Sequence, residues 1–212
     1  MHGGGSNPVY ELHSLRSRLL RSAKLISVQY TEHLFILMNY TEVMLRLLDF
    51  LGQDPDAAYH VREVAEKAGV STGSASITLR FLEGSGLLSL EERGGLKLYS
   101  FNLFNPVARQ FKVLFTVNRL SDMVERLKHE AHRVVLFGSS AKGTDAKESD
   151  IDLFIVTRNP ARVREILRTS EKRIHRTLSP IIVPPGGLTR IEREDRPLFE
   201  SILQGRVLWP RE

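Results

Sequence analysis

Cysteine is absent from all 212 residues, which excludes disulfides and thiolate-bound metals and fits a reducing compartment. No apolar run approaches the roughly 20 residues that a membrane-spanning helix needs. A basic, leucine-bearing stretch near the start is not followed by a small-residue cleavage site, so a secretory signal is not expected. A cytoplasmic protein with no membrane role is the resulting expectation. Internal repeats and extended low-complexity segments are also missing. What is present is ordinary for a globular chain, at 42% hydrophobic and 26% charged residues, and the length suffices for one large or two small domains. A formal net charge of +5 and a pI of about 9.6 favour polyanionic partners such as nucleotides or nucleic acid.

Taken in order, residues 1–37 read as a flexible or helical extension, with a basic helix over about 12–28 and Met38 as a candidate biological start. From Tyr40 the patterning sharpens. Thr41 offers a cap to a helix whose apolar positions Val43, Met44, Leu47, Leu48 and Leu51 recur at three- and four-residue intervals, closed by Gly52 and Pro55. A second short helix spans His60 to Ala68. A third follows from Ser71 or Thr72 to about Glu83, with Ala75, Leu79 and Leu82 inward. Leu87–Leu90 and Leu96–Phe101 read as strands of a hairpin turned by Gly94-Gly95. Asn105-Pro106 opens a long amphipathic helix to about Glu130, whose apolar stripe packs within the chain or against a second copy. A helix over about 161–175, a strand over 178–183, a helix over 197–203 and a terminal strand at Arg206–Trp209 complete the chain.

The most informative stretch lies between the long helix and the helix over 161–175. Val134–Phe137 is an apolar run of strand length that ends in Gly138-Ser139. A polar connection leads to Asp150-Ile151-Asp152, which opens a second apolar run through Val156. In an extended chain, side chains two apart share a face. Asp150 and Asp152 therefore aim their carboxylates together while Ile151, Leu153 and Ile155 face the core. Two convergent carboxylates are the hard-oxygen donors that suit Mg²⁺, with Mn²⁺ as the alternative. Gly138 lets backbone approach a ligand closely, and a helix opening after it would turn free N–H groups toward phosphate. Ser139 and Ser140 add hydroxyls, and Lys142, with Lys147 nearby, adds positive charge.

Phe137-Gly138-Ser139 through Leu153, with Lys142-Gly143-Thr144 inside it, resembles the signature of the polymerase-β-type nucleotidyltransferase superfamily in its minimal form. The resemblance implies a domain over residues 131–212 with a mixed sheet and flanking helices. It further implies an NTP held by Gly138, Ser139, Ser140 and Lys142, and a cation on catalytic Asp150 and Asp152. Val64-Ala65-Glu66-Lys67-Ala68-Gly69-Val70-Ser71, then Phe81-Leu82-Glu83 and Gly86-Leu87-Leu88, resembles a winged helix-turn-helix over 38–104. That implies DNA contacts from Ser74, Thr78 and Arg80 on the third helix and from Arg93 and Lys97 near the hairpin. The expected fold class is α+β, with the helix over 105–130 linking the two domains and pairing in a homodimer.

One departure stands out. The superfamily usually carries a third carboxylate on the strand after the connecting helix, whereas Leu178–Val183 has none and Ser179 holds its place. Glu192, Glu194 and Asp195 would reach the site only if the following segment folds back. Two functions follow from the resemblance. The first is an Mg²⁺-dependent nucleotidyltransferase acting on a protein or RNA hydroxyl, as in antitoxin-type members. The second is a DNA-binding regulator whose nucleotidyltransferase domain is an inactive nucleotide sensor or docking module.

Overall fold

The computed structural model describes residues 41–210, so the expectations for residues 1–37 and for Met38 lie outside the described residues. From Val43 onward the chain forms one compact unit. It opens with α1 (Glu42–Gln53), β1 (Tyr59–His60), α2 (Val61–Ala68) and α3 (Thr72–Gly84), followed by the hairpin β2 (Leu88–Arg93) and β3 (Leu96–Phe101). The three short strands form an antiparallel sheet in the order β1-β3-β2. Leu47, Leu48, Leu51, Val64, Ala65, Ala75, Leu79 and Leu82, from all three helices, are buried. Three helices closed by a hairpin and a short third strand is the winged helix-turn-helix topology.

Capping chemistry sets these helices. His60 accepts from the Arg62 and Glu63 amides while the Glu63 carboxylate accepts from the His60 amide, a reciprocal box that fixes the start of α2. Gly69, at φ +67°, closes it in the left-handed region. Ser71 caps α3 by accepting from the Ser74 amide. The hairpin turn is tighter than the expected five-residue connection. Glu91, Glu92 and Arg93 pair with Leu98, Lys97 and Leu96, leaving Gly94 and Gly95 at positive φ as a two-residue turn.

The second part begins with α4 (Pro106–Leu127), opened by Pro106 and by the Asn105 side chain, which accepts from the Val107 and Ala108 amides. Then come β4 (Ala131–Phe137), the one-turn α5 (Gly138–Lys142), β5 (Ile151–Thr157), α6 (Pro160–Ile174) and β6 (Leu178–Val183). The chain ends with α7 (Gly187–Glu194), α8 (Arg196–Leu203) and β7 (Arg206–Pro210). Their strands form a mixed sheet in the order β6-β5-β4-β7, with β5 and β6 parallel and the other pairs antiparallel. Pro180, which has no N–H to donate, sits on the edge strand β6, where such a residue is tolerated.

The two faces of this sheet are covered differently. On one, Leu136, Ile151, Leu153 and Ile155 pack with Leu120, Met123 and Leu127 of α4 and with Val163, Ile166 and Leu167 of α6. On the other, Val135, Phe137 and Phe154 pack with Ile202 of α8, backed by Leu188, Ile191 and Leu198. Helix α7 was not expected from sequence. It follows the Pro184–Gly187 punctuation at once and offers only Leu188 and Ile191 as apolar anchors. No described helix is long and apolar enough to cross a membrane.

Helix α4 ties the two parts together through Lys112. Its ammonium, buried with 4% exposure, donates to the Gly52 carbonyl at 2.7 Å and the Asp145 carbonyl at 2.8 Å, and lies 3.5 Å from the Asp145 carboxylate. Asp145 is in turn bridged by Arg176 at 2.8 Å. Burial pulls the Lys112 pKa down against the opposing pull of Asp145. Lys112→Met keeps the length and removes the charge. It is expected to lower stability by about 3 kcal/mol, the scale of breaking a buried ion pair, as read from urea unfolding. A loss below about 1 kcal/mol would show the pair to be dispensable.

Candidate functional site

Strand β4 ends at Phe137, and Gly138 turns the chain into α5 at φ +70°, a conformation that favours glycine. A Cβ on Gly138 would lie 2.1 Å from Oδ2 and 3.0 Å from Cγ of Asp152. The turn and the carboxylate are therefore in direct contact, and the missing side chain is what lets them approach. Phe137, Asp152 and Ser179 are register partners across β4, β5 and β6, so their side chains share one face. That face is the one covered by α7 and α8 rather than by α4 and α6. Of the pair expected from the alternation, Asp152 meets the Gly138 turn, and Asp150 lies close enough for its charge to act on Asp152.

The electrostatics agree with this proximity. The Asp152 pKa is raised above its ordinary value of 3.8, first by burial and then by the Asp150 charge, and a hydrogen bond donated by Ser179 opposes the rise. Asp150 is exposed at the mouth and Asp152 is half-buried behind it. A proton is retained more firmly in the folded state, so stability contributed here falls as pH rises above 3.8 toward the raised folded value. We expect Asp152→Asn to flatten this part of the stability–pH profile and to stabilise the cation-free protein at neutral pH. Thermal melts from pH 4 upward check both, and a steeper profile in the variant would contradict the assignment.

The remaining expected residues divide. Ser139 is half-buried in the turn, and its carbonyl accepts from the Gly143 and Thr144 amides. Lys142 is exposed and unpaired among the described residues. Ser140 is completely buried, and its hydroxyl has no partner among the described residues. It is therefore removed from the expected phosphate-facing set, because an inward helical position cannot present a hydroxyl to a ligand. Lys147 is also withdrawn, held by Asp54 at 3.1 Å.

Among the described residues, the acids of the segment after β6 do not supply a third carboxylate. Helices α7 and α8 do fold back over the site's face, yet their acids are engaged on the surface. Glu194 pairs with Arg190 and Glu192 with Arg196, and Asp195 caps α8 by accepting from the Leu198 amide. Among the described residues no group of three or more His, Cys, Asp or Glu is arranged to hold a metal. The donor set is thus two carboxylates with a serine beside them. Hard oxygens and a close backbone turn fit a divalent cation that keeps other ligands on water and phosphate.

On the winged helix, Ser74 and Arg80 are exposed as expected. Thr78 is not. It is buried at 8% exposure, one turn from Ala75 and beside Leu79, so it faces the core and is removed from the expected DNA-contacting set. The outward positions of α3 include Ile77 and Phe81, at 66% and 41% exposure, a pair four residues apart that sequence reasoning did not single out. Arg93 is bridged to Glu91 at 2.9 Å and Lys97 to Glu92 at 3.8 Å, so the wing's two cations carry neighbouring acids.

The geometry defines an arrangement: a three-helix part closed by a hairpin, joined through a long helix to a four-stranded mixed sheet that carries Asp152 against the Gly138 turn. Residues 117–203 match the family model of the nucleotidyltransferase domain, a match that begins inside α4. Among solved structures, the homodimeric winged helix-turn-helix DNA-binding domain of Mb0332 from Mycobacterium bovis is 26% identical, covering 49% of this chain and 90% of that one at a TM-score of 0.38. A putative nucleotidyltransferase from Sulfolobus solfataricus is 19% identical, covering 49% and 87% at a TM-score of 0.31. The MarR family regulator NMB1585 from Neisseria meningitidis is 15% identical, covering 54% and 77% at 0.32. No curated protein matches the chain.

Proposed function

We propose that the chain is a nucleotidyltransferase that moves a nucleoside monophosphate from an NTP to a hydroxyl of a macromolecular acceptor, with release of pyrophosphate. The observation that carries this reading is the contact between the Gly138 turn and the Asp152 carboxylate, with Asp150 beside it. Asp150 and Asp152 would hold the divalent cation, Mg²⁺ or Mn²⁺. Ser139 and the backbone of the turn would seat the phosphates, and Lys142 would neutralise them. A cation held by Asp150 and Asp152 would supply Lewis-acid stabilisation of the charge on the phosphate oxygens during transfer. Ser179 keeps Asp152 oriented by donating to it, and as a serine it is a poor base. The acceptor would then lose its proton to water or to a group of its own, and a protein acceptor, as a toxin modified by an antitoxin-type transferase would be, fits that requirement.

The test is incubation of the protein with labelled ATP, CTP, GTP or UTP, divalent cation and cell extract. Transfer of label to a discrete acceptor supports the reading, and labelling that persists in the Asp150→Asn, Asp152→Asn double variant contradicts it.

Ser179 in the third acid's place favours a second reading, a DNA-binding regulator whose nucleotidyltransferase domain senses nucleotide without turnover. On that reading Ser74, Arg80, Arg93 and Lys97 would contact DNA as part of a homodimer. Retention of duplex DNA by the double variant, lost in Arg80→Ala with Lys97→Ala, is the expected outcome in a mobility-shift assay. The acids paired with Arg93 and Lys97 lower the number of phosphates these cations can neutralise, so that binding is weak and its salt dependence shallow.

A further inference from the structure

A well-formed cavity lies away from the carboxylates. It has a volume of about 580 Å³ and lies among α1, α4, the 145–147 connection and the C-terminal end of α6. None of Gly138, Ser139, Asp150, Asp152 or Ser179 lines it. Topology separates the two places further, because α4 and α6 cover the sheet face opposite the one on which Asp152 lies. The volume falls in the range of about 300–1,000 Å³ typical of small-molecule sites.

Its charge is lopsided. Six cationic side chains line it, Lys112, Arg119, Arg126, Lys147, Arg173 and Arg176, against three carboxylates, Asp49, Asp122 and Asp145. Four of the cations are already in ion pairs: Lys112 and Arg176 share Asp145, Arg119 pairs with Asp49, and Lys147 with Asp54. Arg126 donates only to the neutral hydroxyls of Thr169 and Ser170. Arg173 makes no hydrogen bond or ion pair among the described residues. Asp122, on α4, is the one lining acid outside any ion pair, and because Asp145 is shared by two cations the six cations exceed Asp49, Asp54, Asp122 and Asp145 by two. Phe115 adds an aromatic face and Ile174 an apolar one.

We infer that this cavity is a second, cation-independent site for a nucleoside phosphate. Arg126 and Arg173 take the phosphate as charge-assisted donors, and Phe115 stacks on the base. The floor of the cavity is the Lys112–Asp145–Arg176 cluster. It fixes the connection leading to Asp150, where Arg176 also donates to the Ser149 carbonyl, and Lys112 reaches the Gly52 carbonyl of the winged helix. An occupant therefore lies against both the winged helix and the connection that leads to the proposed cation site.

The test is calorimetric titration of the full chain with ATP, GTP, AMP and inorganic phosphate in the presence of EDTA. A nucleotide is expected to bind without cation, with unchanged affinity in the Asp150→Asn, Asp152→Asn variant. Arg126→Gln with Arg173→Gln should weaken it about tenfold or more, the scale of a lost charged hydrogen bond. Phe115→Leu, which leaves every charge in place, should weaken nucleotide but not phosphate, and covers the case in which the arginine variant misfolds. No binding in EDTA, binding lost in the aspartate variant, or equal affinity for inorganic phosphate each overturns the inference. So does nucleotide affinity untouched by all these substitutions. Failure of transfer activity alone bears only on the carboxylate site.

Discussion

Replacing both Asp150 and Asp152 by asparagine is expected to reduce nucleotidyl transfer by about a thousandfold, the scale of removing a preorganised electrostatic element. The substitution changes no heavy-atom count and keeps side chains that accept hydrogen bonds. What it removes is the pair of charges that makes a hard-oxygen cation site. The fold should survive, and the physical reason is specific. Asp152 is held against burial and against its neighbour's charge, so neutralising it relieves a cost instead of creating one. Thermal melts of the cation-free variant should match or exceed the parent, while the shift that divalent cation with NTP gives the parent should vanish. Loss of activity together with loss of fold would leave the carboxylates as structural groups and would contradict this account.

Gly138→Ala is expected to have an effect of similar size by a different route. The new methyl would sit 2.1 Å from Oδ2 of Asp152, and the backbone is at φ +70°. The backbone cost is about 1–2 kcal/mol for a residue with a Cβ, and the clash must be resolved by moving either the turn or the carboxylate. Either movement would separate the backbone proposed to seat phosphate from the proposed cation ligand. Nucleotide affinity in the presence of Mn²⁺ should fall about a hundredfold. Gly84→Ala is the matched control, because its added methyl meets nothing within 4 Å and its φ is ordinary. Near-equal behaviour of the two alanine variants would show that the turn is not engaged with the carboxylate.

Much of this was legible in the residues. Period-two alternation placed Asp150 and Asp152 on one face and Ile151, Leu153 and Ile155 in the core, where all three are buried. The Gly138-Ser139 turn was legible because an apolar run ended on it. Ser179 was legible as a gap, since its strand is short and contains no acid. Other features were hidden by their physics. Thr78 and Ser140 carry polar side chains at inward helical positions, and a polar residue reads as outward when only residue type is considered. The α7 helix was hidden behind a proline–glycine run that reads as a terminator. The junction cavity was invisible because its arginines lie on α4 and α6, some 50 residues apart, and each set looked like an ordinary solvated face. Lys112 was unreadable for a related cause: its two carbonyl partners, on Gly52 and Asp145, are 60 and 33 residues away.

Binding of Mn²⁺ with a non-hydrolysable NTP, counted by electron paramagnetic resonance, probes the carboxylate pair most directly. The parent protein should take up cation at this site together with nucleotide, and the Asp150→Asn, Asp152→Asn variant should take up none there while melting at the same or a higher temperature. Equal cation uptake by parent and variant would contradict the assignment of these two side chains.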